Sequence, residues 1–205
     1  MIKHTTHFSR GMTLVEVLIA LSIFVAVIGA VGLFEVNIFS YQGSISSSFT
    51  TVQDAEIILK TMTREIRMTS PSSDGSYAIQ TAATNTIVFF ADTDGNGVKE
   101  RIRYSFVGTK LYRASLVPTG SPLAYTGAES TTTLLNNVRN ATSTAVFEYF
   151  DGSYDGNEPS LSQPVNVSSV RLVKINITLD TDPNRSPAPR TYTTQVTLRN
   201  LKNNL

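Results

Sequence analysis

This chain has no cysteine, which excludes disulfides, thiolate metal ligands and cysteine nucleophiles. Its histidines, His4 and His7, both precede Gly11, so a chain trimmed there has no imidazole for a Ser-His-Asp constellation or a histidine-bound metal. Enzyme chemistry is left with little support, and no carboxylate pair for glycoside hydrolysis can be placed from spacing alone. An excess of charge of one sign is also missing: 17 Lys and Arg stand against 16 Asp and Glu. Trimming residues 1–11 removes Lys3 and Arg10 and no acid, leaving 15 basic residues against 16 acidic ones. Such a balance offers little counterion release, so nucleic acid is not an expected partner. Arg64, Arg67, Arg101, Arg103, Arg113 and Arg139 read as scattered solvated charges. No solenoid-type repeat is found. The length, 205 residues, suits one ordinary domain with its own core and an N-terminal extension.

What is present is one long apolar run, within "SRGMTLVEVLIALSIFVAVIGAVGLF", residues 9–34. From Met12 to Phe34 a helix reaches roughly 35 Å, enough to cross a hydrocarbon core. A secretory signal peptide has a shorter apolar stretch followed by a small-x-small cleavage site; here the polar stretch comes first. Lys3 and Arg10 precede the run and Glu35 follows it, which favours a cytoplasmic N-terminus and export of the rest. Small residues at Ala20, Ala26, Gly29, Ala30 and Gly32 permit close approach between helices.

One acid, Glu16, interrupts the run near its start. A carboxylate at the centre of a bilayer costs roughly 2.5 to 3.5 kcal/mol, less near the boundary, and asks for a partner. If the chain is cut after Gly11, the new α-amino group of Met12 is the obvious amine. Unit charges about 4 Å apart attract by roughly 4 kcal/mol at an effective dielectric near 20, comparable with the burial cost. The alternative is an uncleaved signal anchor with Glu16 resting at the interface.

The stretch "GMTLVEVLIALSIFVAVIGAV" resembles the class III signal of type IV pilins and pseudopilins, in which a short basic leader ends in Gly and Glu is the fifth mature residue. The resemblance implies that a prepilin peptidase cuts between Gly11 and Met12 and methylates the Met12 amine. It also implies that Glu16 pairs with the Met12 amine of a neighbouring subunit in a filament core. Implied partners are other pilin or pseudopilin subunits, the peptidase and an inner-membrane assembly platform. The implied location is a single-pass membrane precursor that later enters an extracytoplasmic filament. Two features depart from the pattern: the mature chain starts with Met12 where members often have Phe, and no proline interrupts the helix, Gly29 and Gly32 being the comparable breakers. "MTREIRMTS" is similar to a helix end in PilW-like minor pilins and J-type minor pseudopilins, and "YTTQVTLRN" is similar to PilW-like proteins. The expected divisions are 1–11 leader, 12–34 transmembrane and filament-core helix, 35–69 amphipathic helix continuing from it, and 70–205 β-rich head.

Beyond the membrane segment, the Ser-rich stretch containing Gly43 is poor material for an isolated helix. Val52, Ala55, Ile58, Leu59, Met62 and Ile66 then recur at helical spacing, predicting an amphipathic helix on a sheet. Thr50 or Thr51 suits its N-cap, Asp54 and Glu56 come early, Arg64 and Arg67 come late, and Pro71 follows the end. "NTIVFFAD", "KERIRYSFVG", "KLYRASLVP", "AVFEYFDG", "SSVRLVKINITLD" and "TYTTQVTLRNL" read as strands. Ile102, Tyr104 and Phe106 share one face there. Val170, Leu172, Ile175 and Ile177 are less regular, which predicts a bulge or a strand buried on both faces. Residues 180–190 read as a turn-and-proline loop. A long helix followed by many strands predicts an α+β fold with helix packed on antiparallel sheet, in agreement with the pilin-like fold that the resemblance implies.

"DTDGNGVKE" places Asp92, Asp94 and Asn96 at alternate positions, with Gly97 where a calcium loop turns and Glu100 at the ninth position. The twelfth position, where the helix-loop-helix form has Glu, is Arg103. Two readings stand: a hairpin turn between strands, and that turn holding a structural Ca2+; no cofactor is required for the expected role. Asp151, Asp155, Asn157 and Glu158 lack regular alternation and read as a solvated loop. Asn140, Asn166 and Asn176 match the glycosylation acceptor pattern, as chance provides in a Ser/Thr-rich chain. The expected function is a structural subunit, a minor pilin or pseudopilin of a type IV pilus or type II secretion filament. The alternative is a filament-displayed binding module for DNA uptake, adhesion or substrate recognition.

Overall fold

The computed structural model describes residues 11–180 and 188–201, and for residues 33–52 it describes the backbone alone. The expected leader, apart from Gly11, and most of the expected proline loop lie outside the described residues. The chain divides into two compact units, 1–46 and 47–205. A helix, α1, runs Leu14–Arg67 and contributes residues to both. It has Glu16 in its first turn and Arg64 and Arg67 in its last, the charge order that a helix dipole favours. Thr50 and Thr51 are helical, so no N-cap forms there, and the Ser-rich stretch 44–48 does not end the helix.

In the second unit, two antiparallel sheets follow α1. The first is a five-stranded meander in the order β1 (Ile79–Ala83), β2 (Thr86–Ala91), β3 (Glu100–Val107), β4 (Lys110–Leu116), β5 (Ser130–Leu135). The second has three strands, β6 (Phe147–Phe150), β7 (Leu172–Leu179) and β8 (Arg190–Thr197). The fold is therefore α+β, with a helix packed on antiparallel sheet. Short links join the two sheets: Phe147 N donates to Thr84 O at 2.9 Å, and Tyr149 Oη donates to Ala83 O at 2.9 Å.

The core follows from the residue periods. Ala55, Leu59, Met62 and Ile66 come from one face of α1 at spacings of four and three, and pack with Phe89, Ile102, Tyr104, Val173, Ile175 and Ile177 from the sheets. Ile58 is partly buried against them. In β3, Ile102 and Tyr104 point inward while Arg101 and Arg103 flank them half-buried.

The structure decides between the two readings of β7. Its register against β8 is continuous from Leu172 to Leu179, with no bulge, and the inward set is Val173, Ile175, Ile177 and Leu179. The strand is nonetheless buried on both faces at its middle. Asn176 is buried too, its amide donating to Glu148 Oε2 at 2.8 Å while its Oδ1 accepts from Thr193 Oγ1 at 3.0 Å.

Candidate functional site

Two places carry the residues that the sequence singled out, and a third was missed. At the N-terminus, Gly11 and Met12 are exposed ahead of α1. Thr13 Oγ1 accepts from Glu16 N at 3.3 Å, and Thr13 N donates to Glu16 Oε2 at 3.4 Å. This reciprocal pair is a capping box: Thr and Glu three residues apart satisfy each other's otherwise orphaned backbone donors at a helix start. The signal was in the sequence as Thr-x-x-Glu directly ahead of the apolar run. Glu16 therefore has a partner within its own chain. From Leu14 to Gly32 the helix has a mean hydropathy of 2.7 and none of it is buried, so by length and composition it is able to cross a membrane.

The second place is the loop joining β2 to β3. The strands pair as far as Ala91 opposite Glu100, leaving Asp92–Lys99 as an eight-residue connection in place of a tight two-residue turn. Side-chain oxygens fold this loop inward. Asp92 accepts from Gly95 N at 2.8 Å and Gly97 N at 2.9 Å, Asp94 from Asn96 N at 3.1 Å, and Asn96 Oδ1 from Val98 N at 2.7 Å. Gly97 has φ of +88°, a conformation that side chains resist, so glycine is required at that turn.

Carboxylate oxygens of Asp92, Asp94 and Glu100 all lie within 4.8 Å of one another. At such separations like charges repel, and solvent screens the repulsion in part at exposed Asp94. Asp94 is exposed, Asp92 is half-buried and Glu100 is buried at 4% exposure. Thr93 donates both its N–H and its hydroxyl to Glu100 Oε2, at 2.8 and 2.9 Å, whereas Glu100 Oε1 is buried with no hydrogen-bond partner. An unsatisfied buried acceptor costs about 1 to 3 kcal/mol, more when charged. Among the described residues, the ion pair that reaches these three acids is Lys99 Nζ to Asp92 Oδ2, at 3.4 Å. Desolvation raises the Asp92 pKa, but the N–H groups of Gly97 and Gly95 and the Lys99 charge outweigh it and hold the carboxyl below its ordinary range. Asn96 joins the group through its amide, which donates to Asp94 Oδ2 at 2.8 Å. Of the four residues that the sequence proposed for a metal, the structure thus groups the carboxylates of Asp92, Asp94 and Glu100, while the Asn96 oxygen accepts from Val98 N.

The base of the loop is fixed from outside. Lys99 N donates to Ser73 Oγ at 2.8 Å, and the Tyr125 hydroxyl donates to Lys99 O at 2.5 Å while accepting from Ser73 N at 3.2 Å. The Tyr125 ring lies 4.9 Å from that of Phe90, centroid to centroid. By contrast, the acids of the 151–158 loop are used in turn contacts: Asp151 accepts from Ser153 N, and Glu158 accepts from Asp155 N.

The missed feature is a buried polar network. Glu65, 4% exposed on the inner face of α1, accepts from Tyr104 Oη at 2.7 Å and Arg113 Nε at 2.9 Å. Burial, reinforced by the Glu65 charge, pushes the Tyr104 pKa far upward, so this phenol stays protonated. Desolvation opposes the Arg113 charge, and Glu65 more than compensates for it. Glu65 follows Met62 by three positions, so helical spacing alone placed a carboxylate on the apolar face. Arg101 and Arg103 share Glu129, Arg101 at 3.1 Å, and the Arg103 hydrogen bond leads the effects holding the Glu129 carboxyl below its usual range. Arg101, Arg103 and Arg113 are consequently paired and partly buried, not scattered solvated charges.

With this geometry in hand, the family model for the prokaryotic N-terminal methylation motif matches residues 7–32. The matched segment spans Gly11, Met12, the capping box and the whole apolar stretch to Gly32. It supports a prepilin signal of the type IV pilin kind, a structural class and not a catalytic one, and with the apolar helix it fits a membrane-anchored precursor. No curated protein matches the chain.

Proposed function

We propose that this chain is a minor pilin or pseudopilin, a structural subunit of a type IV pilus or type II secretion filament. A prepilin peptidase cuts between Gly11 and Met12 and methylates the new amine. The inner-membrane assembly platform then passes the subunit from the bilayer into a filament, where residues 12–34 pack against neighbouring helices and Glu16 pairs with the Met12 amine of an adjacent subunit. The observation that carries this reading is the methylation motif, which lies over an exposed apolar segment of membrane-spanning length, Leu14–Gly32, whose one acid, Glu16, is in the first turn. The pairing of Arg101, Arg103 and Arg113 with carboxylates weighs against display of a basic DNA-binding surface.

Intact-mass measurement on the chain from its native cell tests the proposal. The expected mass corresponds to loss of residues 1–11 and gain of one methyl group. A chain that keeps Met1 and still reaches its working location overturns it.

A further inference from the structure

We propose that the loop from Asp92 to Glu100 is a calcium site, with carboxylate oxygens supplied by Asp92, Asp94 and Glu100. The proposal is independent of filament assembly. Two observations support it separately. The first is the cluster itself: three carboxylates brought within 4.8 Å of one another by a loop whose backbone is already wound around their oxygens. The second is Glu100 Oε1, a buried carboxylate oxygen on one of these same side chains, with no hydrogen-bond donor facing it. Lys99 neutralises part of the charge at Asp92 and leaves Asp94 and Glu100 without a cation among the described residues. A divalent ion supplies both missing terms, charge for the cluster and a ligand bond for the orphaned oxygen.

The donor set selects among ions. All the donors are hard oxygens, which suits calcium, magnesium or manganese and not zinc or copper. Three carboxylates in one nine-residue stretch exceed the one or two that magnesium usually takes, since magnesium keeps most of its waters. Calcium accepts six to eight oxygens in flexible geometry and takes several carboxylates at once, which the acids at positions one, three and nine of a loop with Gly at six provide. The ion would close the loop onto Ser73 and Tyr125, the two residues that brace its base.

Equilibrium dialysis of the purified full chain in detergent against calcium chloride, followed by thermal unfolding in calcium and in EDTA, is the test. One calcium per chain is expected, with Tm higher by about 4 °C or more at saturating calcium than in EDTA. Asp94→Asn, at an exposed position and with an oxygen kept to accept from Asn96 N, is expected to weaken binding at least about ten-fold and abolish the Tm rise. Glu100→Gln is expected to do the same. Failure of the unaltered chain to bind calcium overturns the proposal, and so does binding that survives Asp94→Asn. An equal Tm rise with magnesium at the same concentration overturns the assignment to calcium.

Discussion

Glu65 shows what a single residue can do that its type does not announce. Its carboxylate is out of water, and its two partners differ in kind: Tyr104 gives a neutral hydroxyl from β3, Arg113 a full charge from β4. Removing one member of a buried ion pair leaves the other charge stranded, which costs about 3 to 5 kcal/mol when both are fully buried. The Arg113 side chain is 22% exposed, so part of that cost is relieved by water. Arg113→Ala is therefore expected to destabilise the chain by about 3 kcal/mol. Tyr104→Phe keeps the ring beside Phe89 and loses one hydrogen bond to a charged acceptor, about 1.5 kcal/mol. Denaturant unfolding followed by tyrosine fluorescence ranks the two. A larger loss in Tyr104→Phe than in Arg113→Ala contradicts the view that the network is held together by its charge pair.

At the scale of elements, the strands legible in the sequence were those with alternating or continuous apolar residues, β2, β3, β4, β6 and β7, and β8, which its Thr, Tyr and Val residues marked. β5 has the sequence Ser-Thr-Thr-Thr-Leu-Leu and is exposed over most of its length at the sheet edge, so no inward face marked it. β1 is five residues long, and its pairing with β2 shifts register between Ile79 and Thr81, which breaks the period. The helix face from Ala55 to Ile66 was legible because it buries one stripe, whereas the helix start near Thr50 was misplaced because a local cap signal sits inside a longer helix. The metal-ligand candidates were legible as spacing within one loop, but the Glu65 network was not, since it joins residues 39 and 48 positions apart. Long-range partners leave no local period. If α1 is held by its buried stripe, Met62→Ala, at a fully buried position, lowers stability by about 3 kcal/mol. Ile57→Ala, at a position 62% exposed on the same helix, changes it by less than about 0.5 kcal/mol. Equal losses at the two positions contradict the packing described for this face.

For the whole molecule, the open question is which environment covers the apolar part of the chain. Leu14 to Gly32 is exposed along its length and apolar enough to suit a bilayer, and in the proposed filament neighbouring helices take it up. Glu16 then has two separable jobs. Within one chain it caps α1 through Thr13, and in the proposed filament it answers a positive amine on a neighbour. A glutamine at this position keeps an oxygen acceptor of the same reach and so preserves the cap, but it has no charge. An alanine removes both. Charge pairing predicts that Glu16→Gln and Glu16→Ala both insert into the membrane and both fail to enter filaments, because the neighbour's amine is left buried and unpaired in each. Capping alone predicts that Glu16→Gln assembles normally and that Glu16→Ala assembles weakly, in step with Thr13→Ala. Membrane fractionation and quantification of the chain in sheared filaments distinguish the two patterns, and normal incorporation of Glu16→Gln is the result that refutes the charge pairing.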